Sequence, residues 1–363
     1  KRKNRFAMNG YFYVLTTIDF FILCFMCILT YLSESLSRKQ KRGFLLAFVL
    51  IAGISILEVI TLVVDGLPPA YRWLNVASNY MGFGLSPAVC ICLVYVLDRK
   101  TVFRRKIRTA ILFEIGYLIF LFVTIPYGIV FSVSADNIYS RGPHFYIYII
   151  MYFGAILYLS VSTIINVREF QNRSKLLIYP LILFVMAETI IQVVLPELHV
   201  TWLCVTLLSV LYFIYCSEMW NQLDALTGLL NQNSYLKQTG GGRCNGGVLV
   251  VFDVDNFKQI NDRYGHVQGD VCLAEIAECI KKAYANFGYC YRIGGDEFVV
   301  LLTDESEDRI RAKIEQIRKQ VEKESYHVSI GCSVGNTSDK NIASLIAEAE
   351  KRMYEDKRLY YQN

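Results

Sequence analysis

Three acidic residues at the ends of apolar runs are the best placed in this chain to do chemistry. Asp253 closes the run VLVVF (248–252), and Asp296 and Glu297 lie inside YRIGGDEFVV (291–300). Hard divalent cations take carboxylate oxygens, and phosphoryl transfer at a two-metal centre needs a few carboxylates converging on one phosphate. An acid in a glycine turn also serves plain local hydrogen bonding, so 291–300 alone reads equally well as an ordinary hairpin. Asp253 supplies the missing partner, because an acid ending a buried strand is held on a rigid support. Further polar groups follow it: Lys258, Asn261 and Asp262 in FDVDNFKQIND (252–262), then His266 and Asp270 in RYGHVQGD (263–270). Groups just past a strand's carboxyl end are well placed for phosphate and base recognition.

These residues need particular elements to position them. VLVVF is a continuous branched apolar run, the pattern of a strand covered on both faces. A helix is expected from about Asn256, and another is opened by Asp270 and continues as VCLAEIAECIKKAYANF (271–287). YCYRI (289–293) and FVVLL (298–302) read as two strands around the turn, with Gly294 and Gly295 expected to supply positive φ. Upstream, DALTGLLNQ (224–232) reads as a turn with Asp224 or Thr227 as cap, followed by a helix start.

The first 220 residues are of another kind. The chain has 363 residues, 54% of them hydrophobic, high for a soluble protein. Residues 1–220 hold 19 Lys+Arg against 11 Asp+Glu, whereas 221–363 hold 18 against 21. Seven apolar stretches approach the ~20 residues that a bilayer-spanning helix needs: 11–32, 44–66, 76–97, 110–132, 144–166, 176–195 and 200–218. Basic residues concentrate after the first, third and fifth (Arg38, Lys39, Lys41 and Arg42; Arg99 to Arg108; Arg168, Arg173 and Lys175), while the alternate connections hold only Arg72, only Arg141 and none. Positive loops stay inside, which places the C-terminal half in the cytoplasm and the N-terminus outside, against the pull of the KRKNR start. The loops between spans are too short for a separate sensor domain, so a stimulus must be read within the spans, by lipid or by a partner. Asp19, Glu58, Glu114 and Glu188 are ionisable residues within apolar segments; they serve either helix-to-helix hydrogen bonding or function, and Glu58 with Glu188 is a candidate pair for one polar cavity. The last span runs into DALTG without a Pro- or Gly-rich linker, so a stiff connection is expected. The eleven cysteines show neither a disulfide framework nor a metal cluster with histidine.

Residues 224–358 resemble a GGDEF domain, the catalytic domain of diguanylate cyclases, on DALTGLLN, FDVDNFKQINDRYGHVQGD, YRIGGDEF, HVSIGCSVG and AEAEKRMYEDK, taken in that order. The resemblance implies a palm-like α/β fold with a central sheet flanked by helices, behind an all-α bundle of seven membrane helices resembling sensor regions of kinases and cyclases. The implied division is 1–218 for the sensor region, 219–230 for the connection and 224–363 for the GGDEF domain. The implied reaction joins two GTP into cyclic di-GMP with release of two pyrophosphates, and needs a homodimer because one domain holds one GTP. Carried over by position, Asp253, Asp296 and Glu297 are catalytic. Asp253, Val254 through its carbonyl, Asp296 and Glu297 hold Mg²⁺ or Mn²⁺. Lys258, Asn261, His266, Asp270, Gly294, Gly295, Lys357 and Arg358 bind substrate, with Asn261 and Asp270 on the guanine edge and the basic residues on the triphosphate. Membrane lipid and an unknown stimulus complete the implied partners; nucleic acid is not among them.

Departures bear on regulation. Gln232 stands where the family often has Arg, which weakens an ion pair at the start of the domain, and RLYYQN follows Asp356 and Lys357. The family's RxxD product-inhibition site would fall on Ala285, Asn286, Phe287 and Gly288, so that site is missing. The competing reading is a catalytically weak module that binds GTP and signals to a protein partner.

Overall fold

The computed structural model describes residues 2–97, 101–169, 183, 187, 190, 201–240, 247–303, 306–335 and 342–362. They form two compact units, one ending at Trp220 and the other beginning at Asn221.

The first unit is helical: α1 (Arg2–Leu32), α2 (Arg38–Val64), α3 (Arg72–Leu97), α4 (Thr101–Thr124), α5 (Tyr146–Glu169) and α6 (Thr201–Asn221). Among the described residues six helices are long and apolar enough to cross a membrane. Seven are expected from sequence; the sixth, 176–195 with Glu188, lies outside the described residues. The fourth helix ends before the expected stretch 110–132 does. α4 stops at Thr124, where Pro126 and Gly128, at φ +59, turn the chain, and Phe131–Val133 is already a strand (β1) paired antiparallel with β2 (Tyr139–Arg141).

This hairpin is pinned to the α2–α3 connection. Asn137, buried at φ 58, donates from Nδ2 to the carbonyls of Val64 (2.7 Å) and Leu67 (3.1 Å). Asn75 Nδ2 donates to Asn137 Oδ1 (3.0 Å), and Asp65 Oδ1 accepts from the Tyr139 amide (2.7 Å). Arg72 donates to the carbonyls of Val133 and Ser134. Lower down, Ser55 Oγ donates to buried Asp19 Oδ2 at 2.8 Å, which gives Asp19 the bonding role between α1 and α2.

The second unit is a four-stranded antiparallel sheet of β3 (Gly247–Val254), β4 (Gly288–Arg292), β5 (Glu297–Thr303) and β6 (Val328–Val334), ordered β4-β5-β3-β6. Its helices are α7 (Gln232–Thr239), α8 (Phe257–Tyr264), α9 (His266–Tyr284), α10 (Glu307–Lys323) and α11 (Ile342–Gln362). Side-chain alternation assigns the faces. Val248, Val250, Phe252 and Val254 of β3 join Phe298, Val300 and Leu302 of β5 in one core with Cys272, Leu273, Ile276 and Ile280 of α9 and Ile310 and Ile317 of α10. Leu249, Val251 and Asp253 therefore face the other way, toward α11. There α11 lies directly on β6: a Cβ at Gly331 would collide with the backbone of Ala349 and Met353. Asp356, one turn along, accepts from the Ile330 amide (2.8 Å) and from Arg318 (2.6 Å), and Arg352 donates to the Cys332 carbonyl. At the opposite edge the Leu230 amide donates to the Cys290 carbonyl and the Arg292 amide to the Leu230 carbonyl.

Candidate active site

Strand register brings the predicted acids together. Asp253, at the α11-facing end of β3, stands opposite Glu297 on β5. The Val254 amide donates to the Asp296 carbonyl at 3.2 Å, so the hairpin tip is fastened to the same strand end. Lys357 reaches over from α11 and donates from Nζ to Asp253 Oδ1 at 2.5 Å. With Met353 buried against Gly331 and Lys357 four residues later on the same helix face, the packing of α11 sets where that ammonium lies.

Charge crowding follows. Burial raises the Asp253 carboxyl above its ordinary value, Lys357 counters it, and Asp296 and Asp255 add repulsion. Glu297 is raised by burial and then by the charges of Asp253 and Asp296. Burial opposes the charge of Lys357, but the bond to Asp253 outweighs it and its pKa rises. Among the described residues no three His, Cys, Asp or Glu side chains close into a metal cage. Mg²⁺ keeps several waters and needs only one or two carboxylates beside substrate phosphates. Asp253 and Asp296, with the Val254 carbonyl, fit that hard-oxygen donor set, and their mutual repulsion is what a cation relieves.

Residues 221–361 match the family described as "Diguanylate cyclase, GGDEF domain". This segment is a GGDEF domain. The chain is 36% identical over 138 residues to diguanylate cyclase A of Treponema denticola, covering 36% of this chain and 37% of that protein. It is 37% identical over 156 residues to diguanylate cyclase DgcS of Shewanella oneidensis, covering 39% and 50%. It thus spans half or less of the length of either relative. The crystal structure of the GGDEF domain of DgcB from Caulobacter crescentus in complex with c-di-GMP aligns at TM-score 0.34 and 26% identity, over 38% of this chain and 90% of that one.

Within the GGDEF domain the remaining predicted residues fall into two groups. Asn261 on α8 meets Gly269 on α9 so closely that a Cβ at 269 would collide with Asn261 Oδ1, which brings Asn261 beside Asp270. Lys258, His266, Asp270 and Arg358 are exposed, with no hydrogen bond or ion pair to a described residue. Helix α9 starts at His266, not at Asp270, because Gly265 at φ +83 breaks the chain before it. The hairpin glycines do not adopt the expected backbone conformation. Neither Gly294 nor Gly295 has a positive φ; a Cβ on Gly294 would stand 2.9 Å from Glu297 Oε2, while Gly295 faces open space and gives its carbonyl to Arg292 Nη2 at 2.7 Å.

Two polar clusters flank these residues, at the start of the domain and behind the end of β3. Asp224 caps the turn: its Oδ1 accepts from the Thr227 amide (2.8 Å), the Thr227 hydroxyl (2.7 Å) and Arg292 (3.1 Å), while Asn231 caps α7. Burial raises the Asp224 carboxyl, but these donors outweigh it and leave its pKa lowered. This ion pair secures the start of the domain despite Gln232. The second cluster lies at the end of β3. Asp255, whose side chain is 0% exposed, accepts from Ser329 Oγ on both oxygens and lies 2.6 Å from His327 Nδ1. His327 stacks on Tyr360 at 3.9 Å, and the Tyr361 hydroxyl bonds Asn256, which sits at φ 57 between β3 and α8. The DxD spacing signalled Asp255, since residues two apart share a strand face. Nothing local signalled Tyr360 and Tyr361, about a hundred residues distant.

Proposed function

We propose that this protein is a membrane-bound diguanylate cyclase, joining two GTP into cyclic di-GMP with release of two pyrophosphates. The observation that carries the reading is the gathering of Asp253, Asp296, Glu297 and Lys357 where β3 meets the β4–β5 turn. Asn261 and Asp270 hold the guanine edge: a carboxylate accepts from both N1–H and the 2-amino group, a pair adenine does not offer. Lys258, Lys357 and Arg358 set positive charge against the triphosphate, and His266 contributes to the nucleotide surface. Gly294 keeps the turn free of a side chain beside Glu297. Asp253 and Asp296, with the Val254 carbonyl, hold Mg²⁺ or Mn²⁺, which supplies charge neutralisation at the reacting phosphate. Asp296 or Glu297 accepts the proton of the ribose 3′-hydroxyl; the freed oxygen attacks the α-phosphorus of the second GTP, pyrophosphate leaves, and the same exchange in the other direction closes the ring.

One domain holds one nucleotide, so two copies face each other, and the membrane unit regulates by setting how often they align. The basic loops support a cytoplasmic GGDEF domain and an outer N-terminus. The purified full-length chain, given Mg²⁺ and GTP, is expected to form cyclic di-GMP and pyrophosphate, and to form no product from ATP. Saturable GTP binding without turnover would replace this reading by that of a GTP-binding signalling module.

A further inference from the structure

The end of the membrane unit that carries the β1–β2 hairpin encloses a cavity of about 470 Å³, within the ~300–1,000 Å³ usual for small-molecule sites. Among the described residues, Glu58 of α2 and Arg141 of β2 bring opposite charges to its wall, and Phe83, Tyr148 and Trp202 bring aromatic surface. Ser78 of α3 also lines it, and its hydroxyl is buried without a hydrogen-bond partner among the described residues. The carrier of Arg141 is rigid, since β2 is paired to β1 and held to α2 and α3 through Tyr139, Asp65, Asn75 and Asn137. The guanidinium itself lies 4.6 Å over the Phe145 ring, which limits its wandering. A preset cation loses little freedom when it binds an anion. On the charge reading of the loops, this end of the bundle opens to the outside.

A ligand of one sign would set like charge against either Glu58 or Arg141. A ligand with both signs and an apolar body meets the whole wall. We propose that this cavity binds a small zwitterion, an α-amino acid or dipeptide with free termini. Its ammonium faces Glu58, its carboxylate faces Arg141, its side chain lies among Phe83, Tyr148 and Trp202, and Ser78 Oγ supplies an orienting hydrogen bond.

The test reads binding, not cyclase turnover, so it stands or falls apart from the enzymatic reading. The full-length chain in lipid nanodiscs is titrated with L-phenylalanine and with L-leucyl-L-phenylalanine. One of the two is expected to bind saturably at one per chain. Blocking either end, by N-acetylation or C-terminal amidation, is expected to weaken it about tenfold or more, as loss of one partner in a desolvated charge contact does. Glu58→Gln should become indifferent to N-acetylation and Arg141→Gln to amidation. Absence of saturable binding by both probes overturns the proposal, as does equal binding of the free and blocked forms to the wild-type chain, an outcome that depends on no variant's folding.

Discussion

At the residue scale, the GGDEF site is an arrangement of unlike neighbours. Asp253, Asp296 and Glu297 repel one another, and Lys357 offsets part of that repulsion from a helix distant in sequence. Lys357→Met is expected to lower the turnover of GTP about 10²–10³-fold, the usual cost of one preorganised electrostatic contact. Arg358→Met, which removes an exposed and unbonded cation, should cost far less; steady-state kinetics of the two variants side by side check the difference. Asp224 makes a structural counterpart. Its pKa is lowered in the fold, so its stabilising contribution is present above the ordinary carboxyl value of 3.8 and is lost as pH falls through the folded value. Asp224→Asn should therefore cost about 1.5–3 kcal/mol near neutrality, and the gap from wild type should close in acid, as read by denaturant unfolding of the GGDEF domain across pH. The acids at the turn were legible from spacing alone because a strand end and a glycine turn both announce themselves locally. His327, Tyr360 and Tyr361 were not, because a stacked ring and a shared hydroxyl depend on where a late helix comes to rest.

At the element scale, α11 is the part that makes the site whole. Gly331 lets its backbone lie on β6, and Asp356 and Arg352 fix its slide along that strand. Gly331→Ala puts a methyl group into the Ala349–Met353 backbone. The expected cost is about 1–3 kcal/mol of overpacking, together with a fall in turnover, since the helix that lifts away is the one carrying Lys357. A lowered melting temperature with wild-type turnover would separate the helix seat from the placement of Lys357. The run VLVVF identified β3 and its burial correctly, although the sheet is antiparallel. A continuous apolar run reports that helices cover both faces and says nothing of strand direction. Boundaries were harder. The fourth apolar stretch kept its hydropathy past Tyr127 into β1, and only Pro126 and Gly128 marked the change of structure. The positive φ expected of Gly294 and Gly295 belongs instead to Gly228 and Gly265, one in the first turn of the domain and one before α9.

At the scale of the molecule, a unit of apolar helices and a GGDEF domain occupy one chain. Where an inhibitory site would require charged residues, Ala285 caps α9, Phe287 lies under the Lys313 ammonium at 3.2 Å, and Gly288 is pressed so closely on the Leu301 carbonyl that no side chain fits. Cyclic di-GMP added in excess is thus expected to leave the initial rate unchanged apart from competition with GTP; noncompetitive inhibition in an initial-rate series would contradict this. The sheet itself adds a constraint on how copies associate. Leu230 takes the Cys290 carbonyl and the Arg292 amide of β4, and Asp356 and Arg352 take the Ile330 amide and the Cys332 carbonyl of β6. Extending one sheet into another would have to displace these contacts. On the proposed cyclase reading, two copies would then meet through side chains and shared substrate.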